Sequence, residues 1–239
     1  MIDKIPVGKI HALLNGGDYG SFLDSLRIPL GTFENLVKET PSLLETKREE
    51  LDQKFYAELK NNNYDSEKEQ GTRLAFDFES RTRFSATDLF YKSILIAQHA
   101  LFENALALLC NEIYFHIQIP VLESWNFDKL ITNYKTKLQV DLKALPDWPF
   151  LTECGIIRNA IVHSNSEVKG RKLDEQRNLF ITLDKYQAFI ITLNFSAIRP
   201  FPFFKIISPD LLLQHNRIIF SLFNDLNKPL DKFFPEIKL

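Results

Sequence analysis

The sequence has few of the residues that several common kinds of functional site require. Only eight of its 239 residues are glycine, which argues against a glycine-rich phosphate loop and against a turn-rich all-β sandwich. Its two cysteines, Cys110 and Cys154, form no CxxC pair and no Cys/His cluster with zinc-ligand spacing. We therefore expect no structural metal site, and we expect both thiols to be free and buried in apolar helices.

The chain also lacks a strong charge of either sign. Its 29 Lys and Arg residues against 31 Asp and Glu give a formal net charge of -2, so any contact with nucleic acid must be local. The N-terminal residues contain no basic start followed by an apolar segment, and the longest apolar run, 94–110, is interrupted by four polar residues. We therefore expect a cytoplasmic protein in which that run is a core helix and not a membrane span.

Helical periodicity is the strongest pattern that the sequence does contain. In four segments, apolar residues recur at the spacing of an amphipathic helix, which predicts a mainly α fold. These segments are 42–61, 85–118, 126–142 and 210–226. Ser42 followed by Glu45 is a capping box that predicts where the first of them begins.

The N-terminal third is less regular. Pro29 and Gly31 are expected to interrupt helical structure before residue 40. Residues 64–80 are polar and charged, which predicts a loop or linker, with a short alternating strand inside it as the alternative. This linker divides the chain into a predicted N-terminal helical extension, 1–80, and a main helical domain, 81–239.

A small β element is predicted towards the C-terminal end. Residues 167–178 are highly charged and are expected to form a loop. Residues 179–183 and 189–193 are rich in β-branched and aromatic side chains, which favours a hairpin, with helix as the alternative. Residues 204–207 are a further candidate strand.

The segment 153–166, ECGIIRNAIVHSNS, carries the residues best suited to chemistry. An apolar helix there holds Arg158, Asn159 and His163, and it ends where Ser and Asn side chains begin to compete for backbone hydrogen bonds. Asn159 and His163 are four residues apart and share one face of a helix. Arg158 and His163 lie about 140° apart, so they converge only if the last turn loosens or a partner supplies the other half.

Each of these side chains also has a purely structural interpretation. Arg158 can pair with a helix carboxylate, and His163 can favour the helix C-terminus as a cation. The two together, with Asn159 between them, favour a functional site over either structural role. The remaining histidines stand singly on helices and are predicted to be structural: His11, His99, His116 and His215.

The hexapeptide Arg158 to His163, RNAIVH, resembles the signature of the HEPN family (higher eukaryotes and prokaryotes nucleotide-binding domains). That signature is an Arg, usually followed by a polar residue, with a His after four to six intervening residues near the end of a late helix. The long preceding helix, with FENALALLCNEIY, the middle helix and the strand-containing segment after the His suit the same fold. The resemblance covers about residues 86–228 and implies a HEPN-like helical bundle with a small β-hairpin or sheet after the motif helix.

The resemblance implies a metal-independent endoribonuclease that needs no cofactor and dimerises so that two motifs line one cleft. Arg158 would then bind the scissile phosphate of RNA, and Asn159 would orient His163 or the phosphate. His163 would act as the general base on the ribose 2′-hydroxyl or as the acid for the leaving oxygen. Such an enzyme would be a toxin or an anti-phage defence effector, held in check by an inhibitory partner.

Supporting residues are expected on both sides of the motif. Glu103 and Asn104 lie on the long helix, where a buried carboxylate is costly unless it is paired. We expect Glu103 to pair with Arg158 or His163, with a plain surface glutamate as the alternative. Ser164 and Ser166 are candidate phosphate contacts.

Basic residues after the motif could guide RNA to it. These residues are Lys169, Arg171 and Lys172. Acidic neighbours nearly neutralise this segment, so a solvated loop is the alternative. For the chain as a whole, the alternatives to a ribonuclease are a non-catalytic HEPN-like module that binds a nucleotide, RNA or a protein, and a helical scaffold whose motif helix only packs.

Overall fold

The computed structural model describes residues 19–61, 66–122, 126–164, 166–168, 173–194 and 201–233. This part of the chain contains six α-helices and one two-stranded antiparallel sheet, which confirms the predicted mainly α fold with a small sheet after the motif helix. The helices are α1 (Tyr19–Asn61), α2 (Ser66–His116), α3 (Phe127–Lys137), α4 (Trp148–Ser164), α5 (Leu173–Asp184) and α6 (Asp210–Leu230). The strands are β1 (Phe189–Asn194) and β2 (Phe201–Ile206), and 3-10 turns lie at Leu142–Ala144 and Asp231–Phe233.

Helix α1 runs unbroken through the positions where the sequence predicted an interruption. Phe22, Leu26 and Leu30 recur every four residues and are all buried, so packing holds the helix together across Pro29 and Gly31. The predicted helix start at Ser42 is also wrong. Its hydroxyl donates to the Glu39 carbonyl (2.7 Å) from inside the helix and does not cap it.

Helix α2 begins well before its predicted start at residue 85. The predicted loop or linker is therefore wrong over residues 66–80, which are helical, and the proposed division at residue 80 falls inside a continuous helix. Within α2, the stretch Thr87–His116 is long and apolar enough to cross a membrane, judged by length and composition alone. Of its apolar 18-residue window, 56% is buried inside the protein. The core helix of a soluble protein passes the same test.

Helix α5 replaces the second half of the predicted charged loop, residues 173–178, and the first predicted strand of the hairpin. Leu179, Thr182 and Leu183 are buried at helical spacing, and Asp174 and Glu175 in the first turn favour the positive end of the helix. Strand β1 therefore pairs with β2, the further candidate strand, in the register Phe189 to Ile206.

The chain packs as two compact units, each assembled from several segments. Unit 1 comprises Met1–Phe33, Ala97–Ile156 and Gln214–Leu239, and unit 2 comprises Glu34–Ile96 and Ile157–Leu213. The divisions fall within helices α1, α2, α4 and α6, so these helices each contribute to both units.

Aromatic rings form the centre of unit 1. Phe102 is fully buried and lies edge-on to Phe127 (5.9 Å between ring centroids), Trp148 (6.1 Å) and Phe223 (6.4 Å). Aromatic pairs at these separations and angles add to the gain from burial. Both cysteines are free and buried, as expected.

A buried polar cluster also lies in unit 1. His215 Nδ1 lies 3.2 Å from Gln98 Oε1, and Asn216 donates from Nδ2 to the Leu30 carbonyl (2.7 Å). The ring of His99 stacks on that of His215, with centroids 5.6 Å apart. Burial lowers the pKa of His215 well below its ordinary value, and the adjacent His99 lowers it further. His215 is therefore neutral in the folded protein at neutral pH.

In unit 2, a buried ion pair on α2 meets β2. Asp88 Oδ2 accepts a hydrogen bond from Lys92 Nζ (2.6 Å), and both side chains are about nine-tenths buried. Lys92 also donates to the Phe204 carbonyl (3.0 Å), and Asp88 Oδ1 accepts from the Ile206 N–H (2.8 Å). Burial lowers the pKa of Lys92, and the hydrogen bond that Lys92 donates to Asp88 opposes this shift. The pair thus satisfies two backbone groups of β2 as well as its own charges.

We predict that His215 makes the protein sensitive to acid. Because its pKa is depressed in the folded state, the unfolded chain takes up a proton below about pH 6.5 that the native chain does not. Stability is therefore present above that pH and is lost as the pH falls. Urea unfolding between about pH 6.5 and 5 should show that the free energy of unfolding falls more steeply with falling pH for wild type than for His215→Gln. Parallel pH profiles would contradict this.

We also predict that Asp88→Asn destabilises the protein by about 3–5 kcal/mol, because it leaves the Lys92 charge buried without its partner. The double variant Asp88→Asn/Lys92→Met should lose less, since no uncompensated charge remains. Glu50→Gln is the control: its pair with Lys47 is of similar length (2.7 Å) but solvent-exposed, and should matter far less. Denaturant unfolding measures all three, and equal losses at Asp88 and Glu50 would refute the role of the buried pair.

Candidate active site

The motif helix, α4, forms where the sequence predicted it. Pro149 lies in the first turn, where its missing N–H has no cost, and Leu151, Cys154, Ile157 and Ala160 are buried at intervals of three residues. The helix is continuous to Ser164. Its last turn is therefore helical, and the loosened last turn considered as an alternative is not seen before Ser164.

Gly155 explains how α4 packs within unit 1. A Cβ atom at this position would lie 3.2 Å from His99 Nε2, closer than most such contacts, so the absence of a side chain leaves room for the imidazole. Glycine inside a helix costs about 1 kcal/mol relative to alanine. His99 thus has a structural role, as predicted, and it packs directly against the motif helix.

Arg158, Asn159 and His163 all lie on the unit 2 part of α4. The Arg158 guanidinium donates from Nη1 to Asn159 Oδ1 (2.8 Å), which fixes the two adjacent side chains relative to each other. Asn159 and His163 are exposed and lie one turn apart on the same face, while Arg158 is half-buried at its margin. A phosphate at this face would meet the His163 imidazole, with the Arg158 guanidinium at the margin of the face.

The end of α4 is held by backbone hydrogen bonds. Ser166 adopts a left-handed conformation (φ 63°), and its N–H donates to the Ala160 carbonyl (3.0 Å). The Ser166 carbonyl accepts from the Phe204 N–H (3.0 Å), and the Val168 N–H donates to the Pro202 carbonyl (2.8 Å). These bonds attach the residues after His163 to β2. Sequence reasoning missed this attachment because its partners are far apart in the chain.

The predicted supporting residues have varied surroundings. Ser166 is only 2% exposed, so its hydroxyl does not face solvent. Ser164 is half-buried, and its carbonyl accepts from the Glu167 N–H (2.8 Å). Glu103 Oε1 lies 3.6 Å from His99 Nε2 within unit 1, and Asn104 is exposed. Pairing of Glu103 with the motif stays a prediction.

Two further features bear on the site. Val162 lies on the side of this face towards Arg158 and is 48% exposed, a feature that sequence reasoning missed. The basic residues Lys169, Arg171 and Lys172 lie outside the described residues.

In the described part of the chain, no three His, Cys, Asp or Glu side chains are grouped so as to hold a metal ion. The expectation of metal independence stays a prediction.

Comparison with known proteins adds no relative. No protein-family model, no curated protein and no solved structure matches this chain. The likeness to the HEPN signature therefore rests on the residues of the motif, Arg158, Asn159 and His163, and on their place near the end of a helix.

Proposed function

We propose that the chain is a metal-independent endoribonuclease of the HEPN type. The observation that supports this best is the exposed end of α4, where Asn159 and His163 share one face and the Arg158 guanidinium is fixed beside them by Asn159. A permanent planar cation and a titratable imidazole are the two groups that cleavage of RNA by its own 2′-hydroxyl requires. The proposed setting is the cytoplasm, as a toxin or defence effector restrained by a partner protein.

The proposed reaction uses each residue in one role. His163 removes the proton of the ribose 2′-hydroxyl as that oxygen forms a bond to phosphorus, and the bond from phosphorus to the 5′-oxygen breaks. The leaving 5′-oxygen takes up a proton from water, His163 later releases its proton to solvent, and the products carry a 2′,3′-cyclic phosphate and a 5′-hydroxyl. Arg158 stabilises the negative charge on the phosphate oxygens in the transition state, and Asn159 holds the guanidinium in place.

The regular geometry of α4 favours a site shared between two copies. Arg158 and His163 project about 140° apart from one helix, so a single α4 directs them to different sides of its exposed face. A second copy related by a two-fold axis would place its His163 against the Arg158 of the first. We therefore propose a homodimer with two composite sites, each containing one arginine and one histidine.

The same geometry favours a second function. If the side chains never meet across a dimer, the face of Asn159, Val162 and His163 beside Arg158 still offers hydrogen-bond donors, a cation and an apolar contact. Such a face binds a nucleotide, RNA or a protein without turnover. A non-catalytic binding module is therefore the second candidate function. A helical scaffold without affinity for RNA is the third.

We predict that purified wild type cleaves single-stranded RNA in the presence of EDTA and leaves 2′,3′-cyclic phosphate ends. His163→Ala and Arg158→Ala should each lower the rate by at least about 100-fold, the usual contribution of a general base or of a charge-stabilising donor. Arg217→Ala, which removes an exposed arginine from α6, is the matched control and should keep the wild-type rate. The readout is gel analysis of end-labelled RNA.

Other outcomes of this experiment select among the functions. RNA binding without cleavage, abolished in the Arg158→Ala/His163→Ala double variant, supports the binding module. Unchanged RNA affinity in that folded double variant supports the scaffold. Growth arrest on expression of wild type but not of His163→Ala would connect cleavage to the proposed toxin role, and equal growth with both would count against it.

A mixing experiment tests the composite site. Arg158→Ala and His163→Ala homodimers are each expected to be inactive, but subunit exchange between them creates one site with an intact Arg158 and an intact His163. Cleavage should therefore reappear when the two variants are mixed. If activity stays at the level of the separate variants while exchange is shown by differently tagged chains, each site is contained within one subunit.

A further inference from the structure

The two faces of the hairpin in unit 2 carry different side chains. Along β2, Phe204 and Ile206 point to one face and are buried, with 0% and 1% exposure. Phe203 and Lys205 alternate with them, so they lie on the opposite face, and both are partly exposed. The register places Ile190 of β1 beside Lys205 on this second face, where it is 45% exposed. These three residues define the outward face of the hairpin.

Phe203 and Lys205 present an aromatic ring and a cation side by side. Lys205 Nζ lies 5.8 Å from the centroid of the Phe203 ring, a separation at which a cation is attracted to the ring. Within the described ranges of the chain, Lys205 forms no ion pair with a carboxylate, so its charge is available to a ligand. At an exposed site the cation–π contact is weaker than the stacking of a nucleobase on a ring. A base can therefore replace Nζ over the ring, which leaves Lys205 to bind the adjoining phosphate.

The chain that leaves the motif helix runs directly beside this ring. Glu167 pairs with Phe203 in an isolated antiparallel bridge, and the Val168 N–H donates to the Pro202 carbonyl (2.8 Å). Glu167 follows His163 by four residues, so their Cα atoms are at most about 14 Å apart. Residues paired across antiparallel strands have Cα atoms about 5 Å apart. An RNA strand whose scissile phosphate lies at His163 can therefore reach Phe203 within a few nucleotides.

We propose that the outward face is a subsite for single-stranded RNA, in which one unpaired base stacks on Phe203 and its phosphate contacts Lys205. This inference rests on the proposed ribonuclease function and extends it to the recognition of the substrate. The base must be unstacked from its neighbours, and stacking on a ring tolerates any base, so the subsite selects single strands and not a sequence. Glu167 lies on the same face beside Phe203, and its negative charge directs the phosphates to the side of Lys205.

The chemistry of the face favours RNA over a protein partner. Lysine is depleted at the centre of protein–protein interfaces, because a buried ammonium group must be desolvated. Lys205 lies between Phe203 and Ile207 along β2, in the middle of the exposed apolar side chains and not at their rim. A base and its phosphate need a ring with a cation next to it, which is the arrangement found here.

The test measures RNA binding by the full-length His163→Ala protein, the reference, in which the proposed general base is absent. The probe is a fluorescently labelled single-stranded RNA of about 12 nucleotides, followed by fluorescence anisotropy. Adding Phe203→Leu removes the ring but keeps an apolar side chain, and should lower the affinity about 5- to 100-fold. Phe203→Tyr keeps the ring and should bind like the reference. Phe180→Leu changes a phenylalanine of α5 that is 36% exposed, and should also bind like the reference.

Abasic RNA and salt dependence identify the two contacts separately. RNA analogues that lack one base are compared at each position in turn. At one position, loss of the base should weaken binding to the reference by a factor similar to that of Phe203→Leu, and should have little further effect on that variant. Lys205→Gln should reduce the slope of log affinity against log salt concentration by about 0.7, the contribution of one phosphate contact on a single strand. Lys228→Gln, an exposed lysine of α6, should leave the slope unchanged.

Each remaining outcome overturns the subsite. If Phe203→Leu binds RNA as well as the reference does, the outward face is free for a protein partner, and cleavage by wild type still supports the ribonuclease function. If Phe203→Tyr loses as much affinity as Phe203→Leu, or if every abasic analogue weakens Phe203→Leu as much as the reference, the ring acts through folding and not through stacking. If wild type neither binds nor cleaves RNA, the proposed function fails and the subsite fails with it.

Discussion

The buried pair of Asp88 and Lys92 is the interaction on which unit 2 depends. Two charges removed from water are stable only when each has partners, and here each side chain also binds a backbone group of β2. The ring of Phe204 lies 5.3 Å from Lys92 Nζ and adds a cation–π contact. The pair therefore fixes α2 to β2. The hydrogen bonds to β2 and the contact with the Phe204 ring compensate for the burial of both side chains.

That fixed strand in turn positions the end of the motif helix. Ser166 and Val168 bind the same edge of β2 that Asp88 and Lys92 bind, so the chain leaving His163 is attached to a strand already held by α2. A helix end without such partners frays, because its last carbonyls have no donors. The helical last turn of α4 follows from this attachment. In a helical turn, Arg158 and His163 project about 140° apart, so one chain alone does not direct both side chains at the same phosphate.

The sequence predicted the elements whose signals are local. Helix α3 begins after Asn126, whose side chain accepts from the Lys129 N–H, and α6 begins just after Pro209, both close to expectation. The error at Pro29 has a physical cause, because burial of Phe22, Leu26 and Leu30 outweighs the propensity of a local helix breaker. The capping box at Ser42 and the polar residues 66–80 are local signals too, and they lie inside helices α1 and α2. Helix α5 was missed because its apolar stripe is short and its first turn is charged.

The candidate site was predictable only in part, for the same reason. The sequence showed that Asn159 and His163 share a face, since that depends on helical spacing alone. It could not show the attachment of Ser166 to Phe204 or of Asp88 to Ile206, because such hydrogen bonds join residues distant in sequence. Nor could it show that side chains of α2 and backbone groups after α4 bind the backbone of β2, since an apolar strand gives no local sign of such partners. These bonds arise only when the chain is folded, so the part of the candidate site that holds the end of α4 is set by tertiary structure.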